Sequence, residues 1–272
     1  MPALTVPGAE LHYESSGHAS APALLFVPAG IATLRMWDAQ VAALAEHHFV
    51  ATFDPRGFGA TRHDEAVPFA NHADALAVLD HLGIPAATVI GASRSGRIAL
   101  DTALAAPDRV SGVVTVGSVP SGFPELPLPE EEQRRFDEID AVDPAIDAPL
   151  LARLETTLWA AGPRRTESEL DPEFVRLAHR LNAPNVAHAA DEGTTVPLEP
   201  PAYDRLGDIR VPALVTVGEY DFSTELAAYD HLLANLPSAT GLRLEGTAHL
   251  PSVERAEEFT RVLAGWLEQH GL

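Results

Sequence analysis

A serine between small neighbours, an aspartate after one apolar run and a histidine after another could together form a nucleophile, the acid and the base that activates it. Ser93 lies in Ala87 to Leu100, ATVIGASRSGRIAL, where an apolar run breaks into glycines and serines and restarts with helical spacing. Gly91 and Ser95 stand two residues to either side of it, with Ala92 and Arg94 in the variable places. A sharp strand-to-helix turn that presents a hydroxyl needs small residues at those two flanks, because neighbouring backbones approach closely there. Taking Ser95 as the nucleophile would put Arg97 in a small-residue slot, so Ser93 is the candidate. A serine hydroxyl attacks poorly at neutral pH and needs a base in hydrogen-bond reach and a third group to orient that base. His249, in Gly246-Thr247-Ala248-His249-Leu250-Pro251, is the candidate base, and Asp221, in Gly218-Glu219-Tyr220-Asp221, the candidate acid. Glu219 is the second choice of acid. Taken singly, His249 also reads as a surface or capping histidine and Asp221 as a turn or helix-capping residue.

The elements around these residues follow from periodicity. Leu4 to Val6 and Glu10 to Ser15 alternate as an antiparallel hairpin turning at Pro7-Gly8. Ala23 to Val27, ALLFV, is a continuous apolar run, as expected of a strand buried on both faces, and it ends in Pro28-Ala29-Gly30-Ile31. A helix opens at Met36-Trp37 and runs to about Ala45. Phe49 to Phe53 is the next strand, closed by Asp54-Pro55-Arg56-Gly57-Phe58-Gly59. Asn71 to Leu82 has helical spacing and stops at Gly83-Ile84-Pro85. After the Ser93 segment come a strand at Val110 to Val116, one at Pro212 to Val217, a helix at Glu225 to Leu236, a strand at Thr240 to Leu244 and a helix from Val253 to about His270. Alternating strands and helices predict a parallel sheet with helices on both faces. Between Val119 and about Tyr203 the pattern changes: Pro124 to Pro149 is crowded with proline and acidic residues, and helical stretches follow at Ala148 to Ala160 and Pro172 to Leu181. A stretch that long without strands predicts an inserted helical segment.

The Ser93 turn, the Pro28-Ala29-Gly30 loop and Asp54-Pro55-Arg56-Gly57-Phe58-Gly59 together resemble the α/β-hydrolase superfamily, and the likeness runs nearly end to end. It implies an α/β fold with a mostly parallel eight-stranded sheet flanked by helices, a core of residues 1–118 and 204–272, and a helical cap of 119–203 over the nucleophile. It also implies a triad of Ser93, Asp221 and His249, which occur in the chain order this fold uses. Two backbone N–H groups, those of Arg94 and Ile31, would hold the oxyanion. The chain departs from its relatives at Ala29, where a histidine is usual, and at Arg94, where relatives carry an apolar side chain. Arg94 could pair with a substrate carboxylate or with a structural acid away from the pocket. Met36, Trp37, Phe123 and Trp159 are candidate pocket walls, with ordinary core packing as the alternative for each. The implied activity is cofactor-free hydrolysis of a small-molecule ester or lactone through an acyl-enzyme at Ser93. Alternatives on the same triad are a C–C bond hydrolase, a thioesterase and a perhydrolase, and from another class a ligand-binding protein. Serine at position 93 argues against the dehalogenase and epoxide hydrolase branches, whose nucleophile is a carboxylate.

Composition narrows the remaining chemistry. The 272 residues contain no cysteine, and all 18 basic residues are arginine. Disulfides, thiolate metal sites, Schiff bases and a P-loop are therefore excluded. A formal net charge of −21 disfavours nucleic acid and anionic membranes as partners. No twenty-residue apolar span and no basic-then-apolar leader are present, so cytoplasm is the expected location. Metal and cofactor sites are not expected, and the oligomeric state is open.

Overall fold

The structure, a computed structural model, describes residues 2–191 and 193–272. Strands β1 (Ala3–Val6) and β2 (Ala9–Ser16) form the opening hairpin. They are followed by β3 (Ala23–Val27), α1 (Asp38–Leu44) and β4 (Phe49–Phe53). Then come β5 (Arg62–His63), α2 (Asn71–His81), β6 (Ala87–Ala92), α3 (Arg94–Ala105) and β7 (Val110–Val116). Three helices, α4 (Glu130–Asp140), α5 (Pro144–Ala161) and α6 (Pro172–Asn182), precede β8 (Ala213–Gly218). The chain closes with α7 (Ser223–Asn235), β9 (Ala239–Leu244), α8 (Pro251–Glu254) and α9 (Ala256–His270). The sheet runs β1-β2-β4-β3-β6-β7-β8-β9, parallel from β4 onward, and the two-residue β5 adds to β2 as a ninth strand that the eight-strand expectation lacked.

The central strands are apolar at nearly every position because both faces are covered. Leu24, Phe26, Ile90, Val114 and Val116 pack on one face with Leu44, Phe259 and Leu263 of α1 and α9. Leu25, Val27, Val89, Val113 and Val215 pack on the other with Val78, Leu79, Ile98 and Leu232 of α2, α3 and α7. The chain winds outward from β3 in both directions, to β4 on one side and β6 on the other. At such a reversal the loops leaving the two strands diverge and open a crevice beyond their carboxyl ends. The loops after β3 and β6 are the ones carrying Ile31 and Ser93.

Three helix boundaries differ from the periodicity reading. Helix α4 occupies the acidic, proline-rich stretch: it follows Pro129 and carries Glu130, Glu131 and Glu132 in its first turn, where negative charge faces the positive end of the helix dipole. In α5, Asp147 (φ −144°, ψ 64°) interrupts the helix, so Pro149 stands in a first turn where its missing N–H is not needed. The closing helix is broken at Arg255 (φ −125°, ψ 52°) into α8 and α9. Among the described residues no helix is long and apolar enough to cross a membrane.

Candidate active site

Ser93 sits at φ 54°, ψ −127°, and is the one described non-glycine residue with positive φ. Such a conformation costs on the order of 1–3 kcal/mol and persists only when its surroundings hold it. They do so here: the Ser93 N–H donates to the Val116 carbonyl (2.7 Å), and the Ser95 hydroxyl donates to the Pro28 carbonyl (2.6 Å) inside the core. Ser95 is thus a clamp between the loops after β6 and β3. A Cβ at Gly91 would lie 2.0 Å from the Ser95 carbonyl oxygen, so the turn closes only over glycine. Gly91→Ala therefore loses about 1–3 kcal/mol of stability, the usual range for overpacking, measurable by urea denaturation.

His249 Nε2 lies 2.7 Å from Ser93 Oγ, and His249 Nδ1 lies 2.9 and 3.1 Å from the Asp221 carboxylate oxygens. Asp221 and His249 are 1% and 2% exposed, so the pair interacts with little screening. Gly117, at φ 55°, follows β7 directly beneath them; a Cβ there would meet Asp221 Oδ2 at 2.9 Å and His249 Nδ1 at 3.2 Å. The turn carrying His249 is tied on several sides. Arg165 donates to the Gly246 carbonyl (2.6 Å) and forms a two-pronged pair with Glu254, which also accepts from the Ala248 N–H (3.3 Å). Glu219 accepts from the Gly246 N–H (2.9 Å). The second-choice acid is thereby a brace for the histidine turn and makes no bond to the imidazole.

Burial pulls His249 down, but the Asp221 charge and hydrogen bond, with Glu225 behind them, outweigh it and hold the imidazole above its ordinary value. Glu225, in the first turn of α7, is pushed up to about 7 by burial and then by the Asp221 charge. The Trp159 ring of α5 lies over the imidazole at 4.2 Å between centroids, and its carbonyl accepts from the His249 N–H (3.4 Å). Trp159 also packs on Phe222, beside the acid, at 4.8 Å.

A cavity of about 330 Å³ opens above Ser93 and His249. Its floor is the Gly30-Ile31 loop and Phe58, and its roof comes from α5, the end of α6 and the segment after it through Glu155, Trp159, Asn182, Asn185 and His188. Of the four expected wall residues, Trp159 lines it. Met36 and Trp37 do not: Trp37 is fully buried against Phe26 and Phe259, and the Met36 sulfur accepts from the Ala29 N–H (3.2 Å), supporting the loop from below. Phe123 packs instead on Tyr203 and His231. No acceptor among the described residues takes the Ile31 N–H, and the Arg94 N–H, at the first position of α3, has none within its helix.

Sequence reasoning missed Asn185 and Glu155. The Asn185 amide donates to the Gly30 and Ala32 carbonyls (3.3 and 3.1 Å), and its oxygen accepts from the Gly59 N–H (2.9 Å). It thus clamps the loop where Ala29 replaces the usual histidine. Burial holds the Glu155 carboxyl above the usual range. Both side chains come from the inserted helices, where no local motif marks them.

Comparison with known proteins identifies the family. A family model described as the alpha/beta hydrolase fold matches residues 22–256. The chain is 27% identical to 3-oxoadipate enol-lactonase 2 of Acinetobacter baylyi over 270 residues, covering 96% of this chain and 94% of that one. It is 27% identical to a putative carbamate hydrolase of Serratia proteamaculans, covering 85% of each. A solved structure described as an N-acyl homoserine lactone degrading enzyme superposes with a TM-score of 0.74 at 25% identity, covering 97% of this chain and 99% of that one. With the family model spanning most of the chain and the nucleophile turn, loops and strand order all of one kind, the protein belongs to the alpha/beta hydrolase fold family.

Proposed function

We propose that the protein is a serine hydrolase of small-molecule carboxylic esters or lactones. The observation that carries this reading is the hydrogen-bonded chain from Asp221 through His249 to Ser93, ending in a cavity beside two backbone N–H groups, those of Ile31 and Arg94, that take no acceptor among the described residues. Ser93 Oγ attacks the carbonyl carbon as its proton passes to His249 Nε2. The resulting oxyanion lies against the N–H groups of Ile31 and Arg94. Collapse breaks the carbonyl–oxygen bond, and the leaving alkoxide takes the proton from His249. Water, deprotonated by His249, then attacks the acyl-enzyme and releases the acid and free Ser93. Asp221 holds the imidazole in the tautomer that bears its proton on Nδ1. The helices of 119–203 act as a cap that bounds the substrate. The lactonase and carbamate hydrolase among the relatives support carbonyl–heteroatom cleavage, and the 2-hydroxy-6-oxononadienedioate hydrolase of Paraburkholderia phymatum, 30% identical over 71% of this chain, supports C–C cleavage on the same triad as the second reading.

The test combines a fluorophosphonate probe with turnover of p-nitrophenyl acetate and of a lactone series. Labelling of Ser93 together with turnover is expected; a chain that is neither labelled nor active is a binding protein instead.

The pH profile offers a further check. The base works as neutral imidazole, so kcat/KM rises with pH as His249 loses its proton, and the midpoint lies above the ordinary histidine value. Glu225 contributes to that elevation through its charge. Glu225→Gln is therefore expected to move the acid limb to lower pH, and an acid limb that stays in place contradicts the coupling.

A further inference from the structure

Behind the nucleophile turn lies a second cavity, of about 180 Å³, whose walls include Arg56, His63, Arg94 and Asp191. It shares Gly57, Phe58 and His188 with the cavity above Ser93, so the two spaces adjoin across the Phe58 ring. The stem of Arg94 passes over the oxyanion loop, where a Cβ on Gly30 would meet its Cδ at 3.0 Å. Its guanidinium rests on the Phe58 face, 4.2 Å from the ring centroid. Among the described residues no carboxylate pairs with it. Asp191, in the same wall, is engaged by His188 (2.8 Å). Arg56 is held by Asp74 through Nε and Nη2 (2.8 and 2.9 Å), which leaves its Nη1 buried without an acceptor. A buried donor without an acceptor is costly, and so is a desolvated cation without a counter-ion. Burial, and then the nearby Arg97, lower Arg94 to about 10.

We propose that the cavity between Arg56 and Arg94 is an anion subsite that selects ester or lactone substrates carrying a free carboxylate. Arg94 supplies the unpaired charge and Arg56 Nη1 a fixed donor. The planar fork of a guanidinium suits the two oxygens of a carboxylate. The reacting carbonyl then lies at Ser93 while the carboxylate reaches past Phe58. The inference rests on the hydrolase reading above for the reacting end of the substrate, and it adds the chemistry of the other end.

The experiment compares monomethyl with dimethyl esters of succinic, glutaric and adipic acid in the wild type, Arg94→Met and Arg94→Lys. The readout is the ratio of kcat/KM between the charged and the neutral member at each length, which cancels any loss common to both. The wild type is expected to favour the charged ester at one length, and Arg94→Met to lower that ratio by roughly 10- to 150-fold, the range for a charge-assisted hydrogen bond. Arg94→Lys, which keeps the charge but not the fork, is expected to retain part of the preference. Equal ratios in the wild type and Arg94→Met at every length, or a wild type that prefers the neutral esters throughout, overturn the subsite. Calorimetry of glutarate on Ser93→Ala and on Ser93→Ala/Arg94→Met separates the two readings. Binding that depends on Arg94 without any ester turnover in the wild type supports the subsite and refutes the hydrolase. Dimethyl ester turnover without Arg94-dependent binding or preference does the reverse.

Discussion

Ser93→Ala lowers kcat for an activated ester by about 10⁴- to 10⁶-fold, the loss seen when the nucleophile of a triad is removed. The expectation follows from geometry. Ser93 Oγ is the atom in reach of His249 Nε2, at 2.7 Å, and it stands on a turn whose strain is maintained by surrounding bonds. The neighbouring hydroxyl cannot substitute, since Ser95 is fully buried and donates to the Pro28 carbonyl. Alanine removes one polar atom and adds no bulk, so the melting temperature changes little and the loss can be read as chemistry. Burst kinetics with p-nitrophenyl acetate in the wild type, absent in the variant, is the matching observation. A variant that keeps more than about a hundredth of wild-type turnover places the nucleophile elsewhere.

Asp221→Asn costs about 10⁴-fold, as when the acid of a serine protease triad is replaced. The asparagine keeps the size and loses the charge that orients the Nδ1 proton and stabilises the imidazolium formed during attack. The same charge is the largest influence holding His249 up against burial, so the acid limb of the pH profile moves to lower pH in this variant. Glu219→Gln is the control. Its carboxylate accepts from the Gly246 N–H and does not bond to the imidazole, so its loss loosens the turn and costs far less than Asp221→Asn. The reverse order of effects would transfer the acid role to Glu219.

Much of this arrangement was legible along the chain because its causes are local. Two-sided burial makes the central strands apolar, and a strained turn admits small residues only, so ATVIGASRSGRIAL reads as strand, turn and helix without reference to anything distant. His249 and Asp221 stood out because each follows a strand, in the chain order Ser, Asp, His that the resemblance implies. Helix α4 was hidden because its composition resembles a loop; what ties it to the rest of the fold is the buried Glu132, which accepts from the Ser223 hydroxyl (2.6 Å) at the start of α7.

Side-chain direction across loops was beyond the reach of the sequence. Met36 and Trp37 stand close to the oxyanion loop in the chain, yet their helical turn aims them into the layer beneath α9, where their apolar area is buried. Asn185 and Gly30 are 155 residues apart and meet only because the inserted helices fold back over the sheet. Arg94 is the clearest case. Its position after Ser93 places its backbone N–H at the start of α3 without a partner in the helix, since that follows from the turn and the helix start. Whether its guanidinium met a structural acid or a polar cavity depended on Gly30, Arg56 and Phe58 arriving on the loops after β3 and β4. Backbone geometry at a strained turn is set by a few adjacent residues. The partners of a long, charged side chain are set by every element that packs around it.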